Sequence, residues 1–110
     1  MNFSVVLTDY FKKEAKKLSK KYRSLKSELK ALGDELSANP TAGTPPGHNL
    51  YKVRLAIASK GKGKFGGARV ITYVRVIQQK VYLVSIYDKS QMVSLSREHI
   101  KLLLQQEGLA

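Results

Sequence analysis

Phe11, Ala15, Leu18, Tyr22, Leu25, Leu29, Leu32 and Leu36 recur at alternating steps of four and three, which places them on one face of an α-helix. Charged residues fill the positions between and face solvent. Thr8 or Asp9 can cap the start, and Asn39-Pro40 ends the run. Ser19-Lys20-Lys21 sets like charges next to one another, so a turn is expected there and the stretch divides into a helical hairpin.

Residues 39–49, NPTAGTPPGHN, have no period and read as a loop. From Leu50 to Ala58 the period becomes two, with Tyr51, Val53, Leu55 and Ile57 on one face and Lys52, Arg54 and Ala56 on the other. Ala68 to Ile77 and Lys80 to Tyr87 read as two further strands joined by Gln78-Gln79, which predicts an antiparallel meander. Phe3 to Leu7 adds an N-terminal strand in a crossover or edge position. Ile100, Leu103 and Leu104 mark a C-terminal helix from Ser94 or Ser96 to Glu107, expected to cap an open face or edge. The fold class is α+β: an N-terminal helical hairpin on an antiparallel β-sheet, with a C-terminal helix, as a single domain over residues 1–110.

Charge sharpens this picture. Twenty Lys and Arg against eight acidic residues give a net charge of +12, which points to a polyanionic partner: RNA, DNA, an acidic membrane surface or an acidic protein. Basic residues cluster between Lys12 and Lys30, where only Glu14 and Glu28 oppose them. They cluster again in KGKGKFGGAR, residues 60–69, where cations on a flexible backbone suit closure on phosphates and equally describe a solvated hairpin tip. The chain has no cysteine, so it offers no disulfide, thiolate nucleophile or zinc knuckle and fits a reducing compartment. No run approaches the roughly 18 apolar residues that span a bilayer, and the N-terminus lacks the basic segment of a signal peptide. A cytoplasmic protein without membrane contact is expected.

Much familiar chemistry is missing. There is no paired-carboxylate site, HExxH or phosphate-loop motif, His48 and His99 lie outside ligand spacing, and the glycines do not fit a dinucleotide fingerprint. Neither metal nor cofactor is expected. Lys52 and Arg54, however, are held about 7 Å apart on one strand face, as preorganised positive charge. RNA carries its own nucleophile, the 2′-hydroxyl, so a protein can promote cleavage by aligning the backbone and neutralising developing charge. Clustered cations also lower a neighbouring lysine's pKa and make neutral amine available as a base.

Three segments carry a resemblance to a known family: Leu50-Tyr51-Lys52-Val53-Arg54, then Ala58 to Lys64 with Gly66 to Ile71, and Ile86-Tyr87-Asp88-Lys89-Ser90-Gln91-Met92. Together they resemble the RelE/ParE superfamily of bacterial type II toxins, especially its RelE/HigB-like branch, over nearly the full length. The resemblance implies a microbial-RNase-like α+β fold and a bacterial or archaeal toxin that cleaves mRNA in the ribosomal A site and arrests translation. It also implies an acidic cognate antitoxin as the restraining partner. Lys52 and Arg54 fall on the two basic strand positions, and Arg69 falls on the arginine after the long hairpin, a clamp on the scissile phosphate. Lys89 lies near a late basic position that is arginine in RelE, where lysine gives up bidentate phosphate recognition but can still donate a proton. The tyrosine expected further along is absent, since Leu95 occupies the matching place; Tyr87 and Tyr73 are the candidates for its stacking role, and the general base stays open. Lys12, Lys16, Lys20, Lys60, Lys62 and Lys64 are expected to contact RNA and the ribosome. Two alternatives stand beside this reading: a ParE-like inhibitor of DNA gyrase, and a noncatalytic basic nucleic-acid-binding protein.

Overall fold

The computed structural model describes residues 2–47, 49–60, 67–91 and 95–109, with the backbone alone at 44–46 and at 60. Helix α1 (Asp9–Lys21) begins at Thr8, whose hydroxyl accepts from the Phe11 amide (3.2 Å) and donates to the Leu83 carbonyl (3.0 Å). The cap therefore also fixes the helix to the sheet. Helix α2 (Leu25–Ala38) follows after a break at Tyr22–Ser24, three residues beyond the expected Ser19-Lys20-Lys21. Exposed lysines repel weakly in water and do not end the helix. Tyr22 is drawn inward instead, where its hydroxyl donates to Asp88 at 2.6 Å. All eight residues of the apolar stripe join one core: Phe11, Tyr22, Leu25, Leu32 and Leu36 are buried, and Ala15, Leu18 and Leu29 pack half-buried against them.

The sheet comprises β1 (Ser4–Leu7), β2 (Thr44–Gly47), β3 (Leu50–Leu55), β4 (Ala68–Arg75) and β5 (Lys80–Asp88), in the order β1-β5-β4-β3-β2. Strands β2 to β5 form an antiparallel run, whereas β1 lies at the edge parallel to β5, so the sheet is mixed. The long excursion through the helical hairpin and three strands permits that parallel pairing. Strand β2 falls inside the expected 39–49 loop, and its Pro45-Pro46 is compatible with an edge strand, where a missing amide faces no partner. The strand from Leu50 stops at Leu55 and gives way to a 3₁₀ turn at Ala58–Lys60. A four-residue turn, Val76–Gln79, takes the place of the expected two-residue connection, with Gln79 in the left-handed region at φ 54°.

The helical hairpin covers one face of the sheet. Helix α3 (Arg97–Gln106) covers part of the other, where Ile100, Leu103 and Leu104 pack with Ile71, Val84 and Tyr87. Ser96 is its cap, accepting from the His99 amide at 3.1 Å, and Ser94 lies outside the described residues. Polar contacts tie the end of α3 down: Arg75 donates to the Leu109 carbonyl (2.9 Å), and Glu107 accepts from the Asp9 amide (2.6 Å).

Candidate functional site

Strand register brings the basic residues into a row. Arg54 stands opposite Arg69 on β4, and Arg69 stands opposite Tyr87 on β5, so all three project from one face at strand spacing. Lys52, opposite Ile71, lies one step along that face, about 7 Å from Arg54. It is the face that carries α3. The row runs from solvent inward: Arg54 is exposed, Lys52 half-buried, and Arg69 and Tyr87 retain 2% and 5% of their surface.

The electrostatics favour an anion. Two arginines directly opposed across a strand pair present like charge on one face, where a phosphate can be held between them. One Arg69 nitrogen donates to the Ala68 carbonyl at 3.1 Å, which holds the guanidinium in place. The Tyr87 hydroxyl is buried with no hydrogen-bond partner among the described residues. Such an atom forfeits hydration with no return inside the protein, and an incoming ligand can supply the bond. Burial raises the Tyr87 pKa above the ordinary 10.0, and nearby Arg69 only partly opposes this. At neutral pH the phenol therefore keeps its proton and is a donor.

Beyond Thr44, the last β2 residue paired to this part of β3, a groove of about 660 Å³ opens beside Lys52 and Arg54, with Glu28 and Glu35 of α2 on its other wall. Glu28 is engaged within the fold, accepting from the Ala58 amide (2.6 Å) and the Ser24 hydroxyl (3.0 Å). Strands β3, β4 and β5 contain one acidic residue, Asp88, and it pairs with Ala68 on the alternate face. Its carboxylate accepts from the Tyr22 hydroxyl at 2.6 Å, from the Ser90 amide at 2.9 Å and from the Ser90 hydroxyl at 2.7 Å. Sequence reasoning missed this support. The Asp-x-Ser spacing after a strand is the sign of such a turn, whereas nothing local identifies Tyr22 as its donor.

Lys89 follows Asp88, half-buried, its amide donating to the Gly67 carbonyl at 3.0 Å, so the end of β5 is fastened beside Arg69. Tyr73 is not in the row. It lies four residues along β4 from Arg69, about 13 Å away, with its ring near Tyr82 (6.4 Å between centroids) and Arg75 (5.8 Å). Lys12, Lys16 and Lys20 stand on α1, beyond the opposite face of the sheet. Lys60 closes the 3₁₀ turn after β3, and Lys62 and Lys64 lie outside the described residues. Leu95 packs half-buried against the α3 cluster, an apolar contact in place of the absent tyrosine. Among the described residues no three His, Cys, Asp or Glu come together as metal ligands, and no helix is long and apolar enough to cross a membrane.

No protein-family model matches the chain. Among solved structures it is similar to that of the E. coli toxin RelE, an arginine-to-alanine mutant in the free state, with a TM-score of 0.63 over 96% of this chain and 98% of that one. The chain has a RelE-like fold. Sequence identity to RelE is 17%, so the likeness is one of architecture: helical hairpin, sheet and C-terminal helix. The side-chain row stands on this chain's own register.

Proposed function

We propose that the chain is the toxin of a type II toxin-antitoxin pair and a ribosome-dependent endoribonuclease that cleaves mRNA in the A site. The row of Arg54, Arg69 and Tyr87, with Lys52 beside it and no carboxylate from β3, β4 or β5 on its face, carries this reading. The architecture shared with RelE supports it. Cations and a neutral phenol suit chemistry whose nucleophile comes from the substrate. The RNA 2′-oxygen attacks the adjacent phosphorus, the bond to the 5′-oxygen breaks, and a 2′,3′-cyclic phosphate and a 5′-hydroxyl form.

Arg54 and Arg69 stabilise the charge that gathers on the non-bridging oxygens. Protonated Tyr87 donates a hydrogen bond to the phosphate. Lys52, one step along the same face, adds a further positive charge beside the attacking 2′-oxygen, whose proton passes to water. Lys89 can return a proton to the departing 5′-oxygen. The ribosome orders the mRNA, which the open edge of the site at β3 does not do alone. Incubating purified protein with translating ribosomes tests the proposal. Cuts in the A-site codon with 5′-hydroxyl ends are expected, and 5′-phosphate ends or equal cleavage of naked RNA would reject the mechanism.

A further inference from the structure

The pairing of Arg54 with Arg69 stands at the end of a ladder. Leu55 with Ala68 is the last pair beyond it, and residues 56–67 then join β3 to β4. A two-residue turn would fix such an end by itself, whereas a long connection leaves it to fray. The backbone beyond Leu55 therefore decides how firmly Arg54 is held. There the 3₁₀ turn Ala58–Lys60 begins, and the first amides of a helical turn have no partner within it. The start of α2 takes both. Glu28 accepts from the Ala58 amide at 2.6 Å, and the Ser24 hydroxyl accepts from the Ser59 amide at 3.0 Å. Ser24 in turn donates to the other Glu28 oxygen (3.0 Å), and its own amide donates to the Ser59 hydroxyl (3.3 Å).

This clasp is made from the parts of a helix cap. A serine before the first helical residue ordinarily bonds an amide of the first turn, and a carboxylate in that turn serves the same free amides. Thr8 and Ser96 cap α1 and α3 in this way. Ser24 makes no side-chain bond to α2 and lies in helical conformation (φ −79°, ψ −9°), not the extended one of a capping serine. Helix α2 thus gives up its own cap to hold another segment. Such a departure from local preference, with no return inside the helix, marks a place where position outweighs the stability of the element.

We infer that Glu28, supported by Ser24, is a positioning residue: it holds the backbone beyond β3 so that the Arg54 guanidinium stays in register with Arg69 around one phosphate. The same stretch of chain fastens the other side of the ladder end, since Tyr22 donates to Asp88 and the Lys89 amide donates to the Gly67 carbonyl. Residues 22–28 therefore reach both strands that carry the pair. Glu28 acts through the bond to Ala58 and not through its charge, because both carboxylate oxygens are committed inside the clasp. The inference rests on the proposed cleavage only for its turnover readout, and the placement of Arg54 is read without it.

The test compares the full chain with its Glu28→Ala and Glu28→Gln variants. Glutamine keeps an oxygen for the Ala58 amide and removes the charge, whereas alanine removes both. In NMR hydrogen exchange, Glu28→Ala should speed the Ala58 and Ser59 amides at least about 10-fold and leave Val74 and Val81 at parent rates, while Glu28→Gln stays within about 3-fold of the parent. Ser24→Ala, a milder cut that spares the Ala58 bond, should speed Ser59 alone. A 2′-O-methyl RNA oligonucleotide, which lacks the nucleophile, should shift the side-chain Nε–H signals of Arg54 and Arg69 in the parent and in Glu28→Gln, but chiefly that of Arg69 in Glu28→Ala. On translating ribosomes Glu28→Ala should lower the maximal cleavage rate at least about 30-fold with the half-saturating concentration within about 3-fold, and Glu28→Gln should recover most of the rate. Unchanged exchange at Ala58 and Ser59 in Glu28→Ala, equal Arg54 shifts in Glu28→Ala and the parent, or a loss as deep in Glu28→Gln as in Glu28→Ala would overturn the inference. If the parent leaves mRNA intact, the cleavage reading fails, and the exchange rates and Arg54 shifts still decide the role of Glu28.

Discussion

Arg54 and Tyr87 stand at the two ends of one row and answer differently to substitution. Arg54 is exposed, so Arg54→Ala should leave the thermal midpoint within the error of surface changes while lowering cleavage about 100-fold or more. Parallel melting curves and primer extension check the pair of outcomes. Tyr87→Phe removes a buried hydroxyl that has no described partner, so stability at neutral pH should hold or rise by about 1 kcal/mol while cleavage falls. Its pH dependence has a definite sign. The folded chain holds the phenolic proton to higher pH than the unfolded chain, so ionisation of Tyr87 takes nothing from stability below the ordinary value of 10.0 and lowers it as pH rises from there through the folded value. Urea denaturation at about pH 8 and about pH 10.5 should show a smaller alkaline loss for Tyr87→Phe than for the parent, with part of the loss remaining because Tyr10 is shifted in the same direction. The alternation of β3 exposed the phase of Lys52 and Arg54 in the sequence. It could not pair Arg54 with Arg69, because that depends on the register of a long hairpin.

At the scale of elements, two joints hold the site end of the sheet. Gly67 is one: a Cβ there would sit 2.0 Å from the Leu55 carbonyl oxygen, backbone that cannot rotate aside. Gly67→Ala should therefore force β3 and β4 apart beside Arg69 and cost about 1–3 kcal/mol, measurable by denaturant titration. The Tyr22–Asp88 bond is the other joint and ties the hairpin turn to the end of β5. Tyr22→Phe should cost about 1.5–3 kcal/mol by removing a charge-assisted bond from a buried carboxylate. The helices were legible because their apolar stripe spans both α1 and α2. Their dividing turn was not, since a tyrosine bond 66 residues distant decides it. Strand β2 was hidden for a related reason. Thr-Pro-Pro-Gly has no strand pattern, and its pairing follows from the β3 edge it reaches.

Over the whole molecule the surplus of positive charge is divided between the two sides of the sheet. The row on the α3 side ends in Arg69 and Tyr87, nearly closed to solvent, and the lysines of α1 and α2 rim an open apolar groove on the other side. The total charge was visible in the composition, but the division was not, because it needs the mixed sheet and the placement of both helical layers. Primer extension on mRNA under translation by purified ribosomes, with parent protein and Arg54→Ala side by side, decides whether the arginine row cleaves RNA. A-site cuts with 5′-hydroxyl ends are expected from the parent and about 100-fold fewer from a folded Arg54→Ala. Intact mRNA with inhibited gyrase supercoiling, or undiminished cutting by Arg54→Ala, would contradict this role of the row.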